Sequence, residues 1–156
     1  MNLKPLMGIV AAIACVSSGA RALAEDQTAG ALPPVSIELC TSENQSDTNP
    51  NLRVGIGFRD LKDADAVHID FDVLLLDGSN KLVDTRHVSM DGKFASNIFI
   101  QPRRSPTNGQ LLTQPEYPDS PAWNVANHFG SGVERVRCQV HAVKFADGTS
   151  WTVDNL

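Results

Sequence analysis

The sequence predicts an all-β protein, an antiparallel β-sandwich with one short helix and one disulfide. Three observations carry this reading. Apolar and polar residues alternate at period two in several short runs, the pattern of strands with one buried and one solvated face. Clusters of Gly, Asn, Asp and Pro separate those runs, as turn residues do between strands. Two cysteines, Cys40 and Cys138, remain once an N-terminal export segment is set aside.

That segment opens the chain. Lys4 precedes an apolar run from Leu6 to Val16, and Ala22-Leu23-Ala24 stands before Glu25. A charged start, a short apolar core and an A-x-A site are the parts of a secretory signal peptide. The run is shorter than the roughly 20 residues that span a bilayer. Residues 1–24 are therefore expected to be a signal peptide cleaved after Ala24, 25–34 a flexible N-terminal arm, and 35–156 the sandwich domain. Cys15 lacks the large aliphatic residue three positions earlier that a lipoprotein signal carries. The expected location is periplasmic or secreted.

Loss of Lys4 and Arg21 takes the net charge from -5 to -7. An acidic chain without a Lys/Arg cluster speaks against nucleic acid and anionic membranes as partners. No membrane insertion is expected after signal cleavage. In an oxidising compartment Cys40 and Cys138 are expected to form one disulfide. A metal-binding or redox cysteine pair would need C-x-x-C spacing, which is absent.

The strands follow in order. Val35, Ile37 and Leu39 alternate with Ser36 and Glu38. That strand is expected to end near Cys40, and the polar stretch from Thr41 to Pro50 reads as a loop. Leu52, Val54, Ile56 and Phe58 then alternate with Arg53, Gly55, Gly57 and Arg59. The two glycines let something pack closely on the outer face, or mark a bulge. Val67, Ile69, Phe71 and Val73 make the next inward row. Asp77-Gly78-Ser79-Asn80 is a hairpin turn, and Leu82–Val88 returns. Simple pairing puts Asp84 and Arg86 on the apolar face, which implies a bulge or an edge position. Asp91-Gly92 reads as a turn, followed by a strand with Phe94, Ile98 and Ile100.

Pro102, Pro106, Asn108-Gly109, Pro115 and Pro118 make residues 101–120 a long irregular connection. Ser120-Pro121 then has the form of a helix start, with Gly130 as the stop and Trp123, Val125 and Phe129 as the buried side. Val136, Cys138, Val140 and Ala142 form an inward row, with Val143 and Phe145 shifted in phase. Asp147-Gly148 turns into a closing strand with Trp151 and Val153.

The run Phe71-Asp72-Val73-Leu74-Leu75-Leu76-Asp77-Gly78 resembles the central hairpin of bacterial immunoglobulin-like domains. The stretch from Val143 to Trp151 is similar to the closing hairpin of small secreted bacterial proteins that mostly lack an assigned activity. The resemblance implies an immunoglobulin-like sandwich and brings no catalytic residues. Unlike antibody domains, the bridge here would tie the first strand to the next-to-last.

Three surfaces compete for function. The 101–121 connection carries Arg103 and Arg104 on an acidic protein, with Tyr117 and Trp123 beyond. These residue types anchor protein interfaces, and long connections in compact domains are functional or disordered. This surface points to a non-catalytic binding or interaction module for another exported or cell-envelope protein. A periplasmic inhibitor or accessory factor that inserts the same loop into an enzyme is the second reading. The third is a metal-binding protein or metal-dependent enzyme. His68, Asp70 and Asp72 share one strand face, with Asp63 and Asp65 nearby, and these side chains ligate Ca²⁺ or Zn²⁺. Alternating polar residues also describe any solvated sheet face, and no D-x-D-x-D-G loop is present. The histidines His68, His87, His128 and His141 are dispersed. A copper site of the cupredoxin kind would need Cys138 as a free thiolate. No nucleophile motif or phosphate-binding loop occurs, so no catalytic residues, no cofactor and no enzyme activity are expected.

Overall fold

The computed structural model describes residues 32–46, 49–126 and 132–153, so the expected signal peptide, the first part of the arm, His128 and Gly130 lie outside the described residues. Among the described residues there are eight strands: β1 (Val35–Ser46), β2 (Asn49–Asp60), β3 (Ala66–Leu76), β4 (Leu82–Phe94), β5 (Phe99–Ile100), β6 (Ala122–Ala126), β7 (Arg135–Phe145) and β8 (Ser150–Thr152). They make two antiparallel sheets. In the first, β2 pairs with β1 along one side and with β5 and β6 along the other. The second has the order β4-β3-β7-β8.

The core lies between the sheets. Val54, Ile56 and Phe58 of β2 and Ile69, Phe71 and Val73 of β3 are fully buried. Aromatic rings interlock across the interface: Phe58 lies 5.4 Å from Phe71 and 5.3 Å from Phe94, and Phe71 lies 6.0 Å from Trp123. Such tilted and edge-on pairs place ring edges against ring faces, which the aromatic quadrupole favours. Cys40 of β1 is bonded to Cys138 of β7. The bridge therefore ties one sheet to the other, joining the first strand to the next-to-last, as the spacing of the cysteines predicts.

Asp60 ends β2 with a buried carboxylate that braces the turn into β3. Its two oxygens accept the amides of Lys62 and Ala66, each at 2.9 Å. Burial raises its pKa, and the two amide bonds only partly oppose that.

Several local readings need correction. Residues 41–46 and 49–50 are not a loop: they continue β1 and β2 as one long antiparallel pair. Leu39 is 40% exposed on the outer face, because a bulge between Ile37 and Leu39 shifts the phase of β1. Ala142 lies opposite outward-facing Asp70 after the bulge in β7. No helix starts at Ser120-Pro121. Residues Ala122–Ala126 are extended and pair with β2, placing Trp123 opposite Val54 and Asn124 opposite Arg53. Trp123 and Val125 fit period two as well as a helix face, and the free edge of β2 decides between them. Extended pairing satisfies that edge's backbone groups, which a helix would leave exposed. Ser120, the expected cap, is instead fully buried and accepts the Arg103 amide through Oγ at 3.0 Å. Nor does Asp91-Gly92 turn the chain. β4 runs through it to Phe94, with the ladder shifting between Ala66/Phe94 and His68/Asp91. That bulge absorbs the extra residue, and the Phe94 ring lies where a Gly92 side chain would stand.

The anomaly at Asp84 and Arg86 resolves as an edge position. They face Leu75 and Val73 across the ladder, yet both are exposed because β4 is the edge of its sheet. Charges on an edge strand also discourage pairing with another chain.

Closing a loop of 98 residues, the bridge restricts the unfolded chain by an amount worth about 4–5 kcal/mol in the chain-entropy treatment. The Cys40→Ala/Cys138→Ala double variant should unfold at much lower urea concentration than the oxidised protein, with stability reduced by about that amount. Coincident urea curves would show that the bridge contributes nothing.

Candidate functional site

The 101–121 connection lies along the outer face of the first sheet. Gly55 of β2 makes this possible, and Gly57 gives similar room to Leu39 and Phe99. A side-chain carbon on Gly55 would stand 2.8 Å from Cγ of Pro102 and 3.1 Å from Cδ2 of Leu111. One on Gly57 would stand 2.9 Å from Leu39 and from Phe99. The glycines thus admit a close-packed layer, the first of the two roles their pattern suggests.

The cross-strand pair Glu43 and Arg53 fastens the connection. Glu43 accepts the Leu111 amide, and Nη1 of Arg53 donates to the Leu111 carbonyl at 3.0 Å. Leu111 is buried as a result. Arg104 and Leu111 form an isolated antiparallel bridge, and Ser105, Gly109 and Gln110 close a turn between them. A cis peptide bond joins Gln114 to Pro115.

Of the four residues expected to meet a partner, the structure brings two together. Arg103 and Arg104 flank an open groove of about 420 Å³ whose other walls are Leu39, Thr41, Gln101, Pro102 and Leu111. Arg103 pairs with Asp119 at 2.7 Å, and Arg104 pairs with Glu43 at 2.9 Å. Tyr117 is half-buried in the turn before Ser120. Trp123 is a core residue, 8% exposed and packed on Phe71, and so is not on the groove surface.

The outer face of the second sheet carries the other candidate residues. The row His68, Asp70 and Asp72 of β3 divides into two hydrogen-bonded groups. His68 lies between two carboxylates, with Nδ1 2.6 Å from Asp91 and Nε2 3.1 Å from Asp70. The Asp91 hydrogen bond raises the His68 pKa, with Asp70 adding to it against a smaller opposing effect of burial. Asp72 joins different partners. Its Oδ1 is 2.6 Å from Nδ1 of His87 on β4, and its Oδ2 is 3.1 Å from Nδ1 of His141 on β7. Gln139 donates to the same Oδ2 at 3.2 Å. Asp72 is 6% exposed although its strand position faces outward. Burial pushes its pKa up, but the bonds from Gln139 and His87 and the nearby His141 outweigh this and hold it below the usual carboxylate range.

Asp63 and Asp65 stand apart in the turn before β3, where Asp65 pairs with Lys93 at 3.4 Å. No family model, curated protein or solved structure matches this chain.

His87 and His141 were dispersed in sequence, and only sheet register unites them. His87 is the direct ladder partner of Asp72. His141 sits at a bulge, since Phe71 faces Val140 while Asp70 faces Ala142. The phase shift between Val140 and Val143 is the sequence trace of that bulge. It adds one residue to β7 beside the carboxylate.

Because the folded His68 pKa is raised, its contribution to stability is complete below the unfolded value of about 6.5 and is lost as pH rises through the folded value. The stability difference between the native protein and His68→Gln should therefore be largest near pH 5.5 and shrink toward about pH 9. Urea titrations at several pH values would check this, and a difference that grew with pH would contradict it.

Proposed function

We propose that this is an exported, non-catalytic binding module of immunoglobulin-like architecture, with the groove beside Arg103 and Arg104 as its recognition surface. The pairing of β2 with β1 and β6, and of β3 with β4 and β7, corresponds to the A-B-E and C′-C-F-G connections of immunoglobulin-type sandwiches. An inter-sheet disulfide in a chain with an A-x-A leader pattern supports a periplasmic or secreted location. Among the described residues, no helix is long and apolar enough to cross a membrane.

The observation that carries the functional reading is the make-up of the groove. Leu39, Pro102 and Leu111 supply apolar wall, while Thr41, Gln101, Arg103 and Arg104 supply polar contacts. None of these seven residues is a His, Cys, Asp or Glu that could act as a general base or metal ligand. The internal ion pairs use Nη1 of each arginine, leaving other guanidinium donors for an incoming carboxylate. Arginine's planar fork suits carboxylates in two-point contact. The occupant that fits best is an extended acidic segment of another exported or envelope protein.

The fastening of this connection at Gly55, Glu43 and Arg53 favours a ligand that comes to the groove. An inhibitor loop that enters an enzyme cleft would need to project from the sheet.

The test uses the domain as bait in periplasmic extract, together with direct titration of a fluorescent oligoglutamate peptide. Arg103→Gln/Arg104→Gln should weaken peptide binding at least about tenfold, the loss expected when charged hydrogen bonds are removed. Captured protein should elute with the same peptide. Peptide binding and capture that both survive the double substitution would refute the assignment.

A further inference from the structure

We propose that Asp72, His87 and His141 form a binding site for a divalent transition-metal ion of the Zn²⁺ type, on the sheet opposite the groove. The inference does not rest on the groove reading, because the two surfaces share no residue.

The donor set is the first argument. Two imidazole nitrogens and one carboxylate oxygen, with a further position open to solvent, are the protein ligands that Zn²⁺ takes in sites with an exchangeable fourth position. Imidazole and carboxylate also suit Cu²⁺, Ni²⁺ and Co²⁺, whereas Ca²⁺ and Mg²⁺ prefer all-oxygen surroundings.

Geometry is the second. The three residues come from three adjacent strands and offer ligand atoms that all lie within 4.8 Å of one another. The two imidazoles stand 5.7 Å apart and are inclined at 68°, so their ring planes do not stack. A tetrahedral ion with bonds of about 2.0–2.1 Å holds its ligand atoms about 3.3 Å apart. Nδ1 of His141 is already near that separation from Oδ2 at 3.1 Å. Nδ1 of His87 lies 2.6 Å from the other oxygen, Oδ1, so an ion held by Oδ2 and His141 requires the His87 ring to move toward it. His87 can make that adjustment, since its side chain is 73% exposed on an edge strand.

The third argument is that Asp72 is held ready. Its side chain is only 8% exposed, and both oxygens are directed at the two imidazoles. Gln139 donates to Oδ2 and fixes the carboxylate's rotation. Metal-bound carboxylates characteristically have such an outer partner. Metal binding would exchange the hydrogen bonds between carboxylate and imidazole for bonds to the ion, with neutral imidazole as the ligand form. His68 takes no part, because both its ring nitrogens are engaged by Asp70 and Asp91.

The exported chain, purified without a histidine tag and stripped with chelator, should be titrated with Zn²⁺ by calorimetry. Co²⁺ absorption in the visible range would report the coordination number. One equivalent of Zn²⁺ should bind, with Co²⁺ giving the intense bands of a four-coordinate site. His87→Ala and His141→Ala should each weaken binding at least about tenfold, and Gln139→Ala by about tenfold. His68→Gln should leave the affinity unchanged. His87 is exposed, so its variant tests the site without disturbing the core, and far-ultraviolet circular dichroism checks that each variant folds. No binding at millimolar Zn²⁺ would overturn the proposal. So would one-equivalent binding that survives both His87→Ala and His141→Ala.

Discussion

Everything in this protein hangs on the register of β3, and above all on the neighbours Phe71 and Asp72. Successive side chains of a strand point to opposite faces, so a residue placed in the core commits the next one to the outside. Phe71 is held inside by Phe58 of the facing sheet and by Trp123 of β6. Asp72 then meets His87 on one side and Gln139 on the other. A slip of one residue would expose the ring and bury the carboxylate against Phe58, exchanging apolar burial for an unpaired charge. Aromatic packing in the core thus positions polar chemistry on the surface.

The two outer faces solve their exposure differently. On the first sheet, β2 has no side chain at Gly55 and Gly57; the 101–121 connection covers the first, and Leu39 and Phe99 cover the second. The cross-strand pair of Glu43 and Arg53 satisfies both backbone groups of Leu111, which makes burial of that connection tolerable. What remains open is a groove edged by two arginines on an acidic chain. On the second sheet the outward residues stay, and they satisfy one another. Asp72 is buried by its own partners, not by a covering loop. A carboxylate so enclosed is stable only while those partners remain in place.

Much of the scaffold was legible in the sequence. Period-two runs located the inward row of β2 and most of those of β3 and β7, but in β1 and β7 a bulge reversed the phase and put Leu39 and Ala142 outside. The two-cysteine arithmetic located the inter-sheet bridge. The misfit of Asp84 and Arg86 marked an edge strand, and the phase shift before Val143 marked the bulge at His141. Ambiguity arose where one local pattern served two structures. Ser120-Pro121 followed by Trp123 and Val125 suits a helix start and also a strand, and the free edge of β2, contributed by residues some seventy positions earlier, selected the strand. Trp123 therefore went to the core. Asp91-Gly92 reads locally as a turn, but a bulge let β4 continue across it. The partners of Asp72 were beyond reach for the same reason. His87 and His141 lie 15 and 69 positions away, and the ladder register that joins them is a property of the folded sheet.

The most direct test of this account is the backbone register around Asp72, measured by cross-strand nuclear Overhauser contacts in isotopically labelled protein. The account predicts that Asp72 lies opposite His87 on β4 and Gln139 on β7, with Phe71 ring protons close to those of Phe58 and Trp123. Contacts that set Asp72 against Arg86 or Val88 would mean the opposite facing of β3, and would contradict both the core and the surface chemistry derived from it.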